Sequence, residues 1–100
     1  MPALHHVYIL FSAAIDKYYI GETADVKRRM CEHVAGNTKS TAMAKDWRLV
    51  FLEECPSLRE AMALERRIKR TKSRKSIGRY IADERNLIPL PVPLTEYIGA

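Results

Sequence analysis

The sequence has few cysteines and lacks a long apolar run. No stretch of about eighteen consecutive apolar residues occurs, so we expect no membrane-spanning segment. The N-terminal stretch MPALHHVYIL has neither a charged start nor a small-residue cleavage site, so we expect no signal peptide. Cys31 and Cys55 have neither the CxxC spacing of a zinc site nor the density of a disulfide framework. We therefore expect free thiols in a reducing, cytoplasmic environment.

The sequence has fewer acidic residues than basic ones. Lys and Arg number 17 against 12 Asp and Glu, which gives a net charge of +5 and an isoelectric point of about 9.4. This balance permits a polyanionic partner without requiring one. The surplus is concentrated in ERRIKRTKSRKSIGR, residues 65–79, where Glu65 is the only acidic residue. A basic run of this density beside a predicted helix favours nucleic-acid binding over a merely solvated face.

The apolar pattern predicts a small mixed α/β domain of the α+β type. The runs at 6–11 and 17–21 are separated by the short loop SAAID, which predicts an antiparallel hairpin. The run WRLVFLEE at 47–54 predicts a third strand that is buried on both faces. Helices are predicted over 23–34, from residue 56 onward, and over 73–84. The order β-β-α-β-α-α then gives a three-stranded antiparallel sheet flanked by helices.

The chain is long enough for one domain, and its C-terminal end has a different composition. Residues 86–100, NLIPLPVPLTEYIGA, contain three prolines within five residues. This pattern predicts an extended, proline-rich tail that packs through Leu87, Ile88 and Leu90. The predicted division is therefore a domain over 1–85 and a tail over 86–100.

Two tyrosines of the predicted hairpin are candidates for more than packing. If Phe11 pairs near Asp16, Tyr8 lies opposite Tyr19 and both side chains project on one face. Strand tyrosines usually belong to the core, with the hydroxyl at its rim. Gly21 is predicted to end the second strand, where a side chain would be in the way or a positive φ is needed.

The first predicted helix places a cation and a histidine together. Arg29 and His33 lie four residues apart on one helix edge, bordering the apolar stripe that contains Met30. Thr23 or Asp25 is the predicted cap. Considered singly, Arg29 is an ordinary surface cation and His33 a histidine without chemical function.

The second predicted helix carries a carboxylate on its apolar side. Its stripe includes Leu58, Ala61, Leu64 and Ile68, and Glu65 falls inside the arc that these residues span. A buried carboxylate without a partner is costly, so Glu65 needs a salt bridge, hydrogen bonds or a metal ion. The preceding SLRE segment predicts a capping box.

Taken together, these residues resemble the GIY-YIG nuclease superfamily. They resemble specifically the small stand-alone members that are similar to the N-terminal endonuclease domain of the excision-repair protein UvrC. HVYIL stands at the GIY element and YYIGET at the YIG element, while DVKRRM and CEH supply the arginine and the histidine. EAMALERRIKR matches the pattern A-x-x-x-E-x-x-I-K. The resemblance covers about residues 5–85, and it is the ordered set of elements that makes it specific.

The resemblance implies the GIY-YIG endonuclease fold and a metal-dependent endonuclease that hydrolyses phosphodiester bonds in nucleic acid, with DNA repair or processing as the expected context. It implies one divalent cation, magnesium or manganese, held by Glu65, and no small-molecule cofactor. Tyr8 would deprotonate the attacking water, and Tyr19 would orient the water or the phosphate. Arg29 would neutralise the scissile phosphate, and His33 would assist by hydrogen bonding.

Two alternatives to an active nuclease remain at this stage. One is a nucleic-acid-binding module of the same fold that has lost useful catalysis, and the other is an interaction domain with a basic face. The second alternative explains the charge but not the spacings. Retention of all five candidate residues favours the nuclease, and the sequence does not fix the oligomeric state.

Substrate contacts are expected from the loop at 35–46 and from the basic segment. The candidate nucleic-acid-binding residues are Lys39, Lys45, Lys69, Arg70, Lys72, Arg74 and Lys75. Some positions depart from the family pattern. His6 and Val7 replace its glycine and isoleucine, and Glu22 stands where the UvrC branch carries a lysine. An acid there weakens phosphate binding unless it faces away, and Asn86 is the candidate for a late asparagine found in some branches.

Overall fold

A single antiparallel sheet organises the chain. The computed structural model describes residues 4–71 and 73–99. The sheet has four strands in the order β2-β1-β3-β4. The elements are β1 (His5–Ser12), β2 (Lys17–Thr23), α1 (Val26–Val34), β3 (Arg48–Cys55), α2 (Leu58–Thr71), α3 (Arg74–Ala82), β4 (Val92–Pro93) and α4 (Leu94–Gly99). The predicted α+β class is confirmed, although the sheet has four strands rather than three. Within the described residues, no helix has the length and apolarity needed to cross a bilayer.

The sheet is buried on both faces. Side chains alternate along β1, so Val7 and Ile9 pack with α2 and α3 on one side. Tyr8 and Leu10 pack with α1 and α4 on the other side. The apolar middle of β3 is buried as predicted, with Phe51 fully enclosed. Tyr8 therefore lies on the α1 side of the sheet, which decides its neighbours in the candidate site.

The predicted hairpin register is wrong by two residues. Tyr8 pairs with Gly21 rather than with Tyr19, whose cross-strand partner is Leu10. The cause is a turn that closes further along the chain, where Asp16 adopts a left-handed φ of 53°. A shift of two residues preserves the face on which each side chain projects. Tyr8 and Tyr19 remain diagonal neighbours, with ring centroids 6.2 Å apart.

The prediction of an extended tail is wrong for residues 94–99, which are helical. Val92–Pro93 form β4 at the sheet edge, where proline is tolerated, and α4 follows directly. Leu94, Tyr97 and Ile98 have helical spacing and pack into the core on the α1 side. Leu87 and Leu90, which were expected to pack, are exposed.

Asn86 joins the chain after α3 to the centre of the sheet. Its Nδ2 donates to the carbonyl oxygens of Val50 at 3.0 Å and Ile81 at 2.8 Å. Its Oδ1 accepts from the backbone N–H groups of Leu52 and Ile88, both at 3.0 Å. One side chain thus satisfies four backbone groups that belong to three segments, which is a structural function.

We expect Asn86→Ala to lower the free energy of unfolding by about 2 to 4 kcal/mol, because each buried hydrogen bond contributes about 1 kcal/mol and orphaned backbone groups cost more. Urea unfolding measures the change. Asn37→Ala, in the exposed loop after α1, is the matched control and should stay within about 0.5 kcal/mol of the wild type. Equal stability of the two variants would contradict the bridging role of Asn86.

Candidate active site

A cavity of about 500 Å³ opens beside the edge strand β2. Three of the five candidate catalytic residues line it, although they come from three elements: Tyr19 from β2, Arg29 from α1 and Glu65 from α2. The other lining residues are Tyr18, Ile20, Gly21, Glu22, Ser40 and Lys69. The fold therefore gathers residues that are far apart in sequence around one space, which we call the β2 cavity.

The other two candidate residues are buried side by side. Tyr8 is 0% exposed and His33 is 3% exposed. The Tyr8 hydroxyl lies 2.8 Å from His33 Nε2, and the two ring centroids are 5.7 Å apart. Tyr19 connects this pair to the cavity, since its ring centroid is 5.1 Å from that of His33. The Tyr8–His33 pair thus lies directly behind the residues that face the β2 cavity.

Gly21 is where the buried pair approaches the cavity wall. A Cβ atom at this position would lie 2.5 Å from the Tyr8 hydroxyl oxygen and 2.6 Å from its ring. The φ of Gly21 is not in the left-handed region, so the close approach is the reason for glycine. Strand β2 continues past it to Thr23, so Gly21 does not end the strand.

Burial sets the protonation of the Tyr8–His33 pair. It raises the pKa of the Tyr8 phenol far above its ordinary value, Tyr19 raises it further, and the Arg29 guanidinium opposes both. Burial and then the charge of Arg29 lower the pKa of His33 to about 4, while Glu32 acts in the opposite direction. At neutral pH Tyr8 is therefore a protonated phenol and His33 a neutral imidazole.

Arg29 has hydrogen-bonding capacity to spare. Its Nη1 donates to Glu32 at 3.3 Å, but its buried Nε has no hydrogen-bond partner. Buried N–H groups are nearly always paired in folded proteins. Since Arg29 lines the β2 cavity, an anionic oxygen in the cavity is the partner that fits its chemistry best.

Glu65 has the partner that its position requires. Its side chain is 23% exposed, and its Oε2 lies 3.6 Å from Lys69 Nζ one helical turn further on. Of the three alternatives that the sequence left open, the salt bridge is therefore present. Helix α2 begins as predicted after Ser57, whose Oγ accepts from the N–H of Glu60 at 3.3 Å.

The β2 cavity has the donor chemistry that suits a hard divalent cation. It contains the carboxylates of Glu65 and Glu22 and the hydroxyl groups of Tyr19 and Ser40, all of them oxygen donors. No group of three or more His, Cys, Asp and Glu residues in the described part of the chain could hold a metal by itself. A cation here would take most of its ligands from water and from the substrate.

Glu22 does not face away from the cavity. It lines the β2 cavity, and its Oε2 is 2.7 Å from His5 Nδ1. A second carboxylate therefore lines the same cavity as Glu65, and it forms an ion pair whenever His5 is protonated.

The predicted nucleic-acid contacts divide into two that lie along α2 and others that are dispersed. Lys69 lines the β2 cavity, and Lys69 and Arg70 also line an adjoining groove of about 350 Å³ along α2, together with Arg66 and the exposed Met62. The cations outside this region are dispersed. Arg74 pairs with Asp16 at 2.8 Å, Lys45 lines a separate cavity of about 640 Å³, Lys39 and Lys75 are exposed, and Lys72 lies outside the described residues.

Two residues of this region were missed in the sequence. The hydroxyl of Thr41 lies 2.8 Å from His33 Nδ1, on the opposite side of the imidazole from Tyr8. Arg66 joins the groove beside the candidate Lys69 and Arg70. The basic run could have indicated Arg66, whereas nothing in AGNTKSTAMAKD distinguishes Thr41 from the other hydroxyl residues.

Comparison with known proteins finds one matching family and several similar proteins. The GIY-YIG catalytic domain matches residues 4–78 of the chain. A UPF0213 protein of Natronomonas pharaonis is 41% identical over 85 residues, which cover 84% of this chain and 98% of that protein. A UPF0213 protein of Halobacterium salinarum is 42% identical over 67 residues, or 66% of this chain and 86% of that protein. No solved structure gives a significant match.

Proposed function

The chain belongs to the GIY-YIG catalytic domain family, whose members are nucleases, and from this premise we propose that it is a divalent-metal-dependent endonuclease acting on nucleic acid, with DNA as the expected substrate. One observation carries the proposal. Tyr19, Arg29 and Glu65 converge on one cavity from three elements, directly in front of the buried Tyr8–His33 pair.

Phosphate binding is the first task of the β2 cavity. Arg29 offers its unpaired Nε and part of a planar guanidinium, which suits a two-oxygen contact with phosphate. Lys69 adds a second cation on the side formed by α2. From there Arg66 and Arg70, in the adjoining groove that Glu65 also lines, would contact the neighbouring phosphates.

The Tyr8–His33 pair supports a proton relay better than a free phenolate. Each pKa unit that burial adds to Tyr8 costs about 1.4 kcal/mol in forming its anion, so ionisation of Tyr8 alone is unfavourable. The attacking water would instead pass a proton to the Tyr8 oxygen while Tyr8 passes its own to His33 Nε2. A phosphate on Arg29 would offset the charge that lowers the pKa of His33 and so make His33 a better acceptor.

The proposed metal is magnesium, with manganese as a substitute, and Glu65 is the residue that would hold it. When bound, the ion supplies charge stabilisation at the phosphate oxygens. Lys69 must then release the Glu65 carboxylate. Breaking the Glu65–Lys69 ion pair costs little free energy. The Lys69 side chain is 54% exposed, and a surface ion pair contributes at most about 1 kcal/mol.

A second candidate function is nucleic-acid binding without useful catalysis. The observation that favours it is Glu22, a carboxylate in the β2 cavity that opposes the approach of an anionic phosphate.

Cleavage assays separate the two candidates. Labelled DNA and RNA of the same sequence, single- and double-stranded, are incubated with the protein in magnesium, in manganese and in EDTA. If the protein is a nuclease, we expect metal-dependent cleavage of DNA. If it is only a binding module, we expect the nucleic acid to be bound without being cleaved.

If the groove along α2 binds phosphates, its arginines should contribute to the salt dependence of DNA affinity. Arg66→Gln with Arg70→Gln should reduce the slope of log affinity against log salt by about two, since each lost phosphate contact lowers it by about one. Fluorescence anisotropy with labelled DNA in EDTA measures the slope.

The matched control removes two exposed cations elsewhere, Lys17→Gln with Arg85→Gln, and should change the slope little. An equal loss in both double variants would show that binding responds only to net charge and would refute a specific path along α2.

A further inference from the structure

Thr41 is a fully buried hydroxyl residue in the loop between α1 and β3. The loop holds it from two sides. The N–H of Thr41 donates to the Thr38 carbonyl oxygen at 3.1 Å, and the indole Nε1 of Trp47 donates to the Thr41 carbonyl oxygen at 2.8 Å. The hydroxyl oxygen is thereby fixed 2.8 Å from His33 Nδ1.

The direction of the hydrogen bonds follows from the Tyr8 end. Tyr8 is a buried, protonated phenol that needs an acceptor for its O–H, and His33 Nε2 is its hydrogen-bond partner at 2.8 Å. When Nε2 accepts this proton it carries the lone pair, and in a neutral imidazole the other proton then resides on Nδ1. Nδ1–H donates to the Thr41 hydroxyl oxygen.

The contacts of the Thr41 hydroxyl favour the same direction, with His33 as donor and Thr41 as acceptor. The Thr41 hydroxyl lies 3.3 Å from the Thr38 carbonyl oxygen, which can only accept. With its proton directed to Thr38, the Thr41 oxygen is free to accept from His33 Nδ1–H at 2.8 Å. The chain of donors runs from Tyr8 through His33 and Thr41 to the backbone.

Building on the proposed function, we propose that Thr41 is the positioning residue that fixes His33 in the Nδ1–H tautomer, so that Nε2 accepts the Tyr8 proton. The charged groups near the imidazole are Arg29 and Glu32, both on its own helix. Neither is a hydrogen-bond partner of Nδ1, so the hydrogen bond to Thr41 is the contact that favours a proton on that nitrogen. The opposite tautomer would direct an N–H at the Tyr8 hydroxyl and remove the acceptor for its proton.

The tautomer of His33 is measured directly in the wild-type protein, without substrate or metal. The chain has three histidines, so ¹⁵N spectra of the imidazole nitrogens are assigned with His5→Gln and His6→Gln. We expect a protonated, pyrrole-type Nδ1 and an unprotonated, pyridine-type Nε2 for His33 at neutral pH. The reverse pattern in the wild type would overturn the proposal, whatever the variants do.

Variants of Thr41 connect the tautomer with turnover. Thr41→Val keeps the shape but removes the acceptor. We expect a mixed or reversed His33 tautomer and a fall in kcat of about 10- to 100-fold, as for other residues that orient an imidazole through its second nitrogen. Thr41→Ser retains the oxygen and should restore both the spectrum and kcat. Thr95→Val, the same change at an exposed position in α4, should alter neither.

Failure of this inference is distinguishable from failure of the proposed function. A protein without nuclease activity would still show the Nδ1–H tautomer, and Thr41→Val would still disturb it. Conversely, an active Thr41→Val protein with normal kcat and an altered tautomer would leave the nuclease intact and refute the positioning role.

Discussion

Glu65→Gln is expected to lose cleavage by about 1,000-fold, the upper range for removing a group that stabilises charge in the transition state. Glu65 is the carboxylate that α2 places in the β2 cavity beside Tyr19 and Arg29, and glutamine keeps its shape while removing the charge that a divalent cation needs. Timed digestion of end-labelled DNA in magnesium measures the loss.

Folding and binding should survive this substitution. The recorded partner of Glu65 is Lys69 at 3.6 Å, an exposed pair of little energetic weight, and DNA binding in EDTA does not require the metal ligand. Glu60→Gln, an exposed carboxylate on the same helix, is the matched control and should cleave at the wild-type rate. If Glu65→Gln lost both DNA binding and cleavage, Glu65 would instead act through the structure of α2.

Gly21→Ala is expected to impair activity and stability together. Its new Cβ would lie 2.5 Å from the hydroxyl oxygen of Tyr8, whose side chain is fully buried, so the tyrosine or the strand has to shift. Overpacking of this kind costs about 1 to 3 kcal/mol of unfolding free energy. Displacing the Tyr8 hydroxyl from His33 should also lower kcat by about 100-fold, since a shift of about 1 Å has that effect on aligned reacting groups.

The control for this prediction is the same substitution at another glycine. Gly78 lies inside α3, and a Cβ built there meets nothing within 4 Å. Gly78→Ala should leave cleavage unchanged and raise stability by about 0.5 to 1 kcal/mol through its higher helix propensity. If Gly21→Ala unfolds and cleaves like the wild type in parallel urea and kinetic measurements, the contact with Tyr8 has no consequence.

Sequence spacing identified the three candidate catalytic residues that line the β2 cavity, although it did not point to Ser40. Tyr19, Arg29 and Glu65 each occupy a fixed place on a strand or helix, and periodicity determines which face such a residue presents. The order of the elements up to α3 followed from the same periodicities. Glu65 was conspicuous because it interrupts an apolar stripe.

The features that sequence reasoning missed depend on loops and on partners distant in the chain. Thr41 acts through a hydrogen bond to His33 that only the closed loop creates. Asn86 was named only as a candidate for the family's late asparagine, and its hydrogen bonds to β3, more than 30 positions away, were not foreseen. The hairpin register depended on the left-handed φ of Asp16, which no periodic pattern reveals. At α4 a helical pattern was present, but the three preceding prolines concealed it.

The most direct test of the central claim is nicking of closed circular supercoiled DNA by the purified wild-type protein, with Glu65→Gln purified in parallel. A circle has no ends, so a nick can arise only by endonucleolytic cleavage. The proposed function predicts nicked circles in magnesium, none in EDTA, and none with Glu65→Gln even at concentrations where both proteins bind the DNA. Bound but intact circles with the wild type, or equal nicking by the two proteins, would contradict it.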